Sequence, residues 1–426
     1  MIDIEQIRKN PDRFRHAVTA KRIPLDLDRL LELDKERKTL TGLVEQLRQT
    51  RNRTSEAIAN NPDNRAELIA KSRTIGEELS QKEKEFEKIE FEFKKLMALV
   101  PGLPLANVPE GNSDKDNVEI SRWGNIIKKD FTLRDHQELA NLHGLVDFDG
   151  ARNIAGSRAY ALTGNGALLE LAIMRFALDK ILAKGFTLIS PPLLVKDIAM
   201  FGTGYFPLGE DNAYELERDN LYLTGTSEVG IVSMHMNKTF ELSELPKRYV
   251  GISPCFRREA GAAGRDTKGL YRVHQFQKVE QIVFCANDQE ISLQQHFALL
   301  KNAEEIMQAL ELPYRIVAMC TGDMGLGQVC KHDIETWMPS RDSYCETHSC
   351  SSFHDFQSRR LNIRYRNDNG EKLLVYTLNN TAIASPRILI PFLENHQNSD
   401  GSINIPQALR PYLNEREYIK PIKMGN

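Results

Sequence analysis

The stretch Gly251–Gln281, GISPCFRREAGAAGRDTKGLYRVHQFQKVEQ, reads as two strands joined by a glycine-bearing loop. The run Arg248–Glu259 is rich in β-branched and aromatic residues, and Leu270–Phe284 alternates over almost its whole length. Side chains of a strand point alternately to opposite faces, so a period of two sorts them. Tyr271, Val273, Val279 and Val283 share a face suited to a core, while Leu270, Arg272, His274, Phe276, Lys278 and Glu280 share the other. In the preceding strand Arg257 and Glu259 fall on one face. A solvated hairpin with ordinary surface charges is the bland account. Against it stand Phe276, a large aromatic among charges, and Arg257-Arg258-Glu259, which abuts the loop. A nucleotide platform fits better: Phe276 under a base, Arg257 on a phosphate, Glu280 on a polar or cationic substrate group. Arginine suits phosphate because its planar fork donates two parallel hydrogen bonds.

A chain of 426 residues has room for two or three domains and a large core. Its net charge of −3 gives no global pull toward nucleic acid, so any such binding must come from local patches. No run of about 18 apolar residues is present, and the N-terminus MIDIEQIRKNPDRF is neither a signal nor a transit peptide. A cytoplasmic protein without membrane contact is expected. Six cysteines in a chain of this size do not make a disulfide framework. Cys345, His348, Cys350 and His354 can be sketched as a metal site, but they lie in a strand-like region without a C-x-x-C knuckle. Neither a G-x-G-x-x-G nor a G-x-x-x-x-G-K-[ST] string occurs, which argues against Rossmann and P-loop sites.

From Leu27 onward apolar residues follow a 3-4 spacing. Leu33, Leu40, Leu47 and Thr54 alternate with Arg37, Val44, Arg51 and Ile58. After Asn60–Asn64 the rhythm resumes with Leu68, Ile75, Lys82, Ile89 and Leu96 against Ser72, Leu79, Phe86, Phe93 and Val100. This spacing predicts an antiparallel coiled-coil hairpin, about 35 residues per helix and roughly 50 Å long. Its distal half is basic, with Arg48, Arg51, Arg53, Arg65, Lys71 and Arg73. It reads either as a solvated spacer or as a grip on a phosphate backbone. The Pro/Gly-rich run Val100–Gly111 marks the best domain boundary, giving a helical domain over 1–105 and a second domain over 106–426.

Beyond it a helix is expected over Leu168–Lys184, followed by a strand Phe186–Val195 stopped by Pro191 and Pro192 at a sheet edge or boundary. Leu221–Glu228 reads as a strand in which Thr226 or Ser227 either caps the helix Glu228–Met236 or meets a substrate. Further strands are expected at Tyr314–Met319, Tyr344–Ser349, Arg360–Tyr365 and Leu373–Leu378. The last is followed by Asn379-Asn-Thr381 and a helix Ala382–Gln397 with Arg387 one turn inside. Strands joined by hairpins with helices at their sides predict an α+β fold, an antiparallel sheet flanked by helices, with the coiled-coil arm at the N-terminus.

An arginine-bearing hairpin, then a strand, a helix and Arg387, resembles motifs 2 and 3 of class II aminoacyl-tRNA synthetases, and the strand ending in Pro191-Pro192 resembles their motif 1. The strings FRREAGAAGRDTKGLYRVHQF, TGTSE, HSCSSFHDFQSRRLNIRY and TLNNTAIASPRILIPFLENHQ, with the helical hairpin, make the whole chain similar to the seryl-tRNA synthetase family. The resemblance implies a homodimer that charges tRNA(Ser) with serine, using ATP and Mg²⁺, with service to tRNA(Sec) as a further expectation. It implies that Arg257 meets the α-phosphate and the serine carboxylate, Glu259 the adenine amino group, Val273 the adenine through its backbone, and that Phe276 stacks on the ring. Arg387 would hold the γ-phosphate, and Glu346 and Ser349 the Mg²⁺; Arg258, Thr347 and His348 complete the implied ATP site. Thr226 and Glu228 would bind the serine amino group, and Glu280 and Thr381 its hydroxyl, with Ser227 and Asn379 alongside. The six basic arm residues would touch tRNA. Where many members carry a glycine-rich motif 3, this chain reads Thr-Ala-Ile-Ala-Ser-Pro-Arg387. The loop Gly261–Gly269 is expected to be mobile and to order when the tRNA end arrives. The competing readings are a non-catalytic tRNA-binding relative and a ligase that loads an amino acid onto a carrier protein. Intact Arg257, Glu346, Ser349 and Arg387 argue against the first, and the basic-tipped arm against the second.

Overall fold

The computed structural model describes residues 1–422 apart from 61–63, 263, 265 and 267. The chain divides into two compact units, Met1–Pro101 and Gly102–Asn426, within the Pro/Gly-rich stretch. The first unit opens with short helices Ile4–Lys9 and Pro11–Ala20, followed by α1 (Leu27–Asn60) and α2 (Arg65–Ala98), which pack against each other along their length. The buried positions follow the expected seam: Leu33, Leu40, Val44 and Thr54 on α1, Ile75, Leu79 and Phe93 on α2. Arg37 keeps its seam position by laying its guanidinium 4.3 Å from the Phe93 ring centroid, so a cation fills an apolar slot. At the base, Arg8 donates two hydrogen bonds to the buried Asp34, at 2.6 and 2.8 Å. The turn expected at Asn60–Asn64 lies largely outside the described residues.

The second unit is built on an eight-stranded sheet. In chain order its strands are β1 (Val118–Trp123), β2 (Thr187–Ile189), β3 (Lys247–Phe256), β4 (Gln275–Cys285), β5 (Tyr314–Ala318), β6 (Cys330–Met338), β7 (Ser343–His354) and β8 (Tyr376–Ser385). Their spatial order is β1-β5-β6-β7-β8-β4-β3-β2, antiparallel throughout except for the parallel edge pair β2–β3. Helices α3 (Asn165–Leu182), α4 (Ser227–Ser233), α5 (Gln289–Ala309) and α6 (Leu389–His396) flank it. Ile173 and Ala177 of α3, Leu299 and Ala303 of α5 and Phe392 of α6 join Val279, Val283, Ile334, Leu378 and Ile383 in one core. The even-numbered residues Ile282 and Phe284 of β4 instead pack with Ile231 and Val232 of α4, on the opposite face. That alternation delivers Phe276, Lys278 and Glu280 to a single side.

Several expectations are corrected. The alternating run from Leu270 does not begin as strand: β4 starts at Gln275, and Leu270 is fully buried in the core rather than on the polar face. Gly269 turns the chain at φ +77, and the hairpin closes where Arg257 donates its N–H to the His274 carbonyl at 2.9 Å. The strand expected over Phe186–Val195 is broken by its prolines into β2 and a two-residue strand, Leu194–Val195, in another sheet. Arg360–Tyr365 is split between a helix, Phe356–Leu361, and a strand, Arg364–Arg366. Packing of the helix's buried Phe356, Gln357, Ser358 and Leu361 overrides local strand preference. The strand expected to end before Asn379 instead runs through Thr381 to Ser385, because Ala382 and Ile383 are wholly buried in the sheet. Pro386, which has no N–H for the ladder, ends it. Arg387 therefore precedes α6 rather than lying within it.

Candidate active site

Glu280 sits at the centre of a buried polar cluster. Thr226, the residue before α4, makes no capping bond with its side chain; its hydroxyl donates to Glu280 Oε2, which also accepts from the Glu228 backbone N–H at 2.9 Å. Lys278 Nζ donates to Glu280 Oε1 at 2.6 Å and to Thr226 Oγ1. Gln357 Nε2 donates to Glu228 Oε1 at 2.6 Å. Ser227 bonds Ser253 across α4 and β3 at 2.9 Å, and Thr381 lies directly opposite Glu280 in the β4–β8 pair. Burial and the neighbouring Glu280 push the Glu228 carboxyl up to about 7, against hydrogen bonds from Gln357 and Asn379. Two carboxylates, one ammonium and several hydroxyls, all buried, offer the chemistry to pair with a small zwitterion that carries a hydroxyl.

Beside this cluster is an array of cations and rings. Arg257, just past β3, holds its guanidinium 5.2 Å from the Phe276 ring centroid. Arg387 lies 4.6 Å from the Tyr271 ring centroid and donates to the Tyr271 and Glu346 carbonyls, each at 3.2 Å, with the Glu346 carboxylate 3.6 Å away. Glu346 is exposed at its tip; desolvation by the surrounding protein would raise its carboxyl, but Arg387, Lys331 and Arg257 hold it below the usual range. Ser349 faces Asp333 across β6–β7, and Lys331 closes on Asp333 at 3.1 Å. One Asp333 oxygen is buried without a hydrogen-bond partner. Hydroxyl and carboxylate oxygens of this kind suit a hard divalent cation.

The loop between the two strands is tied down by charge. Asp266 meets Arg341 at 2.7 Å and Arg272 at 3.3 Å, and Arg272 also reaches Glu259 at 3.2 Å. Glu259 and Asp266 both have positive φ, +55 and +45, a costly conformation for non-glycine residues that recurs at functional sites. The mobility expected of Gly261–Gly269 falls partly on 263, 265 and 267, which lie outside the described residues.

Not every expected residue joins the array. Arg258 turns away to line a cavity of about 800 Å³ with Asp197, Glu210, Asp211 and Glu215, an acidic surround unsuited to phosphate. Thr347 and His348 are buried; Thr347 bonds Thr336 at 2.6 Å and His348 bonds Thr347 at 2.8 Å, where a bulge interrupts β6–β7. Val273 is buried. The sketched cysteine–histidine site does not assemble: His354 stacks on Tyr376, and Cys345 bonds Ser343. Lys278, Gln357, Arg272, Asp333 and Arg341 join the site without a role expected from sequence. The alternation put Lys278 on the correct face; Gln357 comes from a distant helix and carried no local signal. Of the basic arm residues, all six are exposed, with Arg48 on Glu83 and Arg73 on Glu77.

Residues 1–104 match the seryl-tRNA synthetase N-terminal domain, and residues 214–396 the tRNA synthetase class II core domain (G, H, P, S and T). A serine–tRNA ligase from Deinococcus radiodurans is 46% identical over 99% of this chain and all of the relative. One from Caldanaerobacter subterraneus is 43% identical over 97% of this chain and 98% of the relative. The crystal structure of seryl-tRNA synthetase from Pyrococcus horikoshii complexed with ATP superposes with a TM-score of 0.89, at 38% identity, covering 99% of this chain and all of that one. A cytoplasmic serine–tRNA ligase from Naegleria fowleri in complex with AMP gives 0.84 at 28%, covering 99% of each.

Proposed function

The chain belongs to the seryl-tRNA synthetase family of class II aminoacyl-tRNA synthetases, and on that premise we propose that it charges tRNA(Ser) with serine: ATP-dependent formation of seryl-adenylate, then transfer of the seryl group to the tRNA 3′ end. The observation that carries this reading is the meeting, on one sheet face, of the Thr226–Lys278–Glu280–Glu228 cluster with Arg257, Phe276 and Arg387. Glu228 and Thr226 hold the serine ammonium, Glu280 and Thr381 its hydroxyl, and Arg257 its carboxylate. Lys278 positions Glu280. Adenine stacks on Phe276, its amino group on Glu259 and its edge on the Val273 backbone, while Arg387 holds the γ-phosphate.

The serine carboxylate attacks the α-phosphorus and pyrophosphate leaves. Arg257 and Arg387 stabilise the charge that builds up there, so positioning and electrostatics suffice without an enzyme nucleophile. Glu346 and Ser349 would hold Mg²⁺, with Asp333 beside them; the ion would neutralise phosphate charge. The 3′-terminal hydroxyl of tRNA then attacks the seryl carbonyl, and AMP leaves. The exposed basic residues of the arm support a phosphate-backbone contact, and the same site would serve tRNA(Sec). Exposed Leu168 and Leu171 on α3 and Leu188 on β2 support a homodimer through these elements, which sedimentation velocity tests. The reading assigns this work to the cytoplasm; no described helix is long and apolar enough to cross a membrane.

The test is serine-dependent ATP–pyrophosphate exchange in the wild type and in Arg387→Ala. Removing one preorganised charge from the reacting phosphates lowers exchange by about 10²–10³-fold. Full exchange in that variant overturns the γ-phosphate role.

A further inference from the structure

Behind β6, on the face away from Lys331 and Asp333, lies a second cluster that the reaction does not use. His296 of α5 and Cys330 and His332 of β6 are buried, and one ligand atom from each lies within 4.8 Å of the other two. His296 Nε2 is 2.8 Å from His332 Nδ1, and Cys330 Sγ is 3.8 Å from the same His332 nitrogen. His296 Nδ1 meets Ser352 Oγ at 2.9 Å. With that nitrogen donating to Ser352, the Nε2 lone pair points into the cluster, the usual second contact that fixes a metal-bound histidine. Cys350 Sγ stands 3.8 Å from His296 Nδ1, a second sulfur at the margin.

We propose that His296, His332 and Cys330 form a binding site for a thiophilic divalent cation of the zinc type, with water as fourth ligand, pinning α5 to β6 behind the active site. The donor set is right for such an ion: two imidazoles and one thiol, with no hard carboxylate among them. Tetrahedral zinc with its usual bond lengths places nitrogen and sulfur ligands about 3.6 Å apart and two nitrogens about 3.3 Å apart. The Cys330–His332 separation of 3.8 Å is close to that, and the two imidazoles need to part by about half an ångström from 2.8 Å. On binding, Cys330 releases its thiol proton to solvent as the sulfur–metal bond forms, and His332 carries its proton on Nε2 instead of Nδ1. The competing account is a metal-free hydrogen-bonded core, in which His332 simply donates to His296.

The full-length protein produced in cobalt-supplemented minimal medium distinguishes the two. The site predicts one cobalt per chain, a thiolate-to-cobalt charge-transfer band and the visible bands of four-coordinate cobalt. All three disappear in Cys330→Ala and His332→Gln and persist in Cys345→Ala, which removes the half-buried thiol elsewhere on the sheet. X-ray absorption of the wild-type cobalt protein decides independently of whether the variants fold: imidazole nitrogens with one sulfur support the site. An oxygen and nitrogen shell without sulfur, a wild type free of cobalt, or a band unchanged by Cys330→Ala overturns it.

Discussion

Glu228 is buried within reach of a second carboxylate, and its chemistry is set by that fact. Its carboxyl, raised from 4.5 to about 7, favours the protonated form in the folded protein. Its contribution to stability is therefore complete below about pH 4.5 and is lost as pH rises through about 7. Substrate binding has the opposite sign, because a serine ammonium needs the carboxylate. The KM for serine should fall as pH rises through about 7, by up to about tenfold per pH unit below the pKa, and Glu228→Gln should flatten the profile. A pH-independent KM in the wild type would remove Glu228 from the ammonium site. Glu280 was legible as a polar strand residue because a period of two separates it from Val279 and Val283. Gln357, which bonds the same Glu228, was not, since its partnership spans 129 residues. Arg258 looked equivalent to Arg257 in sequence, yet adjacent side chains at a strand end diverge, and it lines an acidic cavity.

At the scale of elements, ladder bonds pair β3 with β4, while the loop between them is held by a chain of ion pairs. Asp266 anchors the loop to Arg341 and Arg272, and Arg387 rests against Glu346. The second contact engages Arg387 and Glu346, two groups that the proposed reaction needs free. Asp266→Ala should release the loop and speed its proteolytic nicking between 261 and 269, with tRNA restoring protection. Nicking at the wild-type rate would show that Asp266 is not the anchor. The hairpin itself could be read from alternation, but its start could not. Leu270 alternates in phase with Arg272 and Phe276, and only the turn at Gly269 sends it into the core instead. The end of β8 differs from its expected place for a related reason. Asn379-Asn-Thr381 resembles a strand terminus, while the sheet continues because Ala382 and Ile383 are buried within it.

For the whole molecule, the chain combines an exposed coiled-coil hairpin with a buried polar cluster, and net charge conceals the division. The heptad spacing of α1 and α2 was plain in the sequence because a coiled coil is a local, periodic pattern. The eight-stranded order was not, since β1 pairs with β5 and β8 inserts between β7 and β4. Arg51, Arg53, Arg65 and Lys71 are exposed on the arm. Replacing these four by glutamine should raise the KM for tRNA and reduce the slope of log affinity against log salt by roughly 3, while leaving pyrophosphate exchange intact. An unchanged slope would make the arm a spacer.

The central claim is that the Glu280 cluster selects serine for activation by the adjoining arginines. ATP–pyrophosphate exchange over a panel of amino acids measures this directly. Exchange should depend on serine, with alanine poorer by about 10⁴-fold because it leaves Glu280 and Thr381 without their hydroxyl partner. Comparable exchange with alanine, or exchange driven by another amino acid in place of serine, would contradict it.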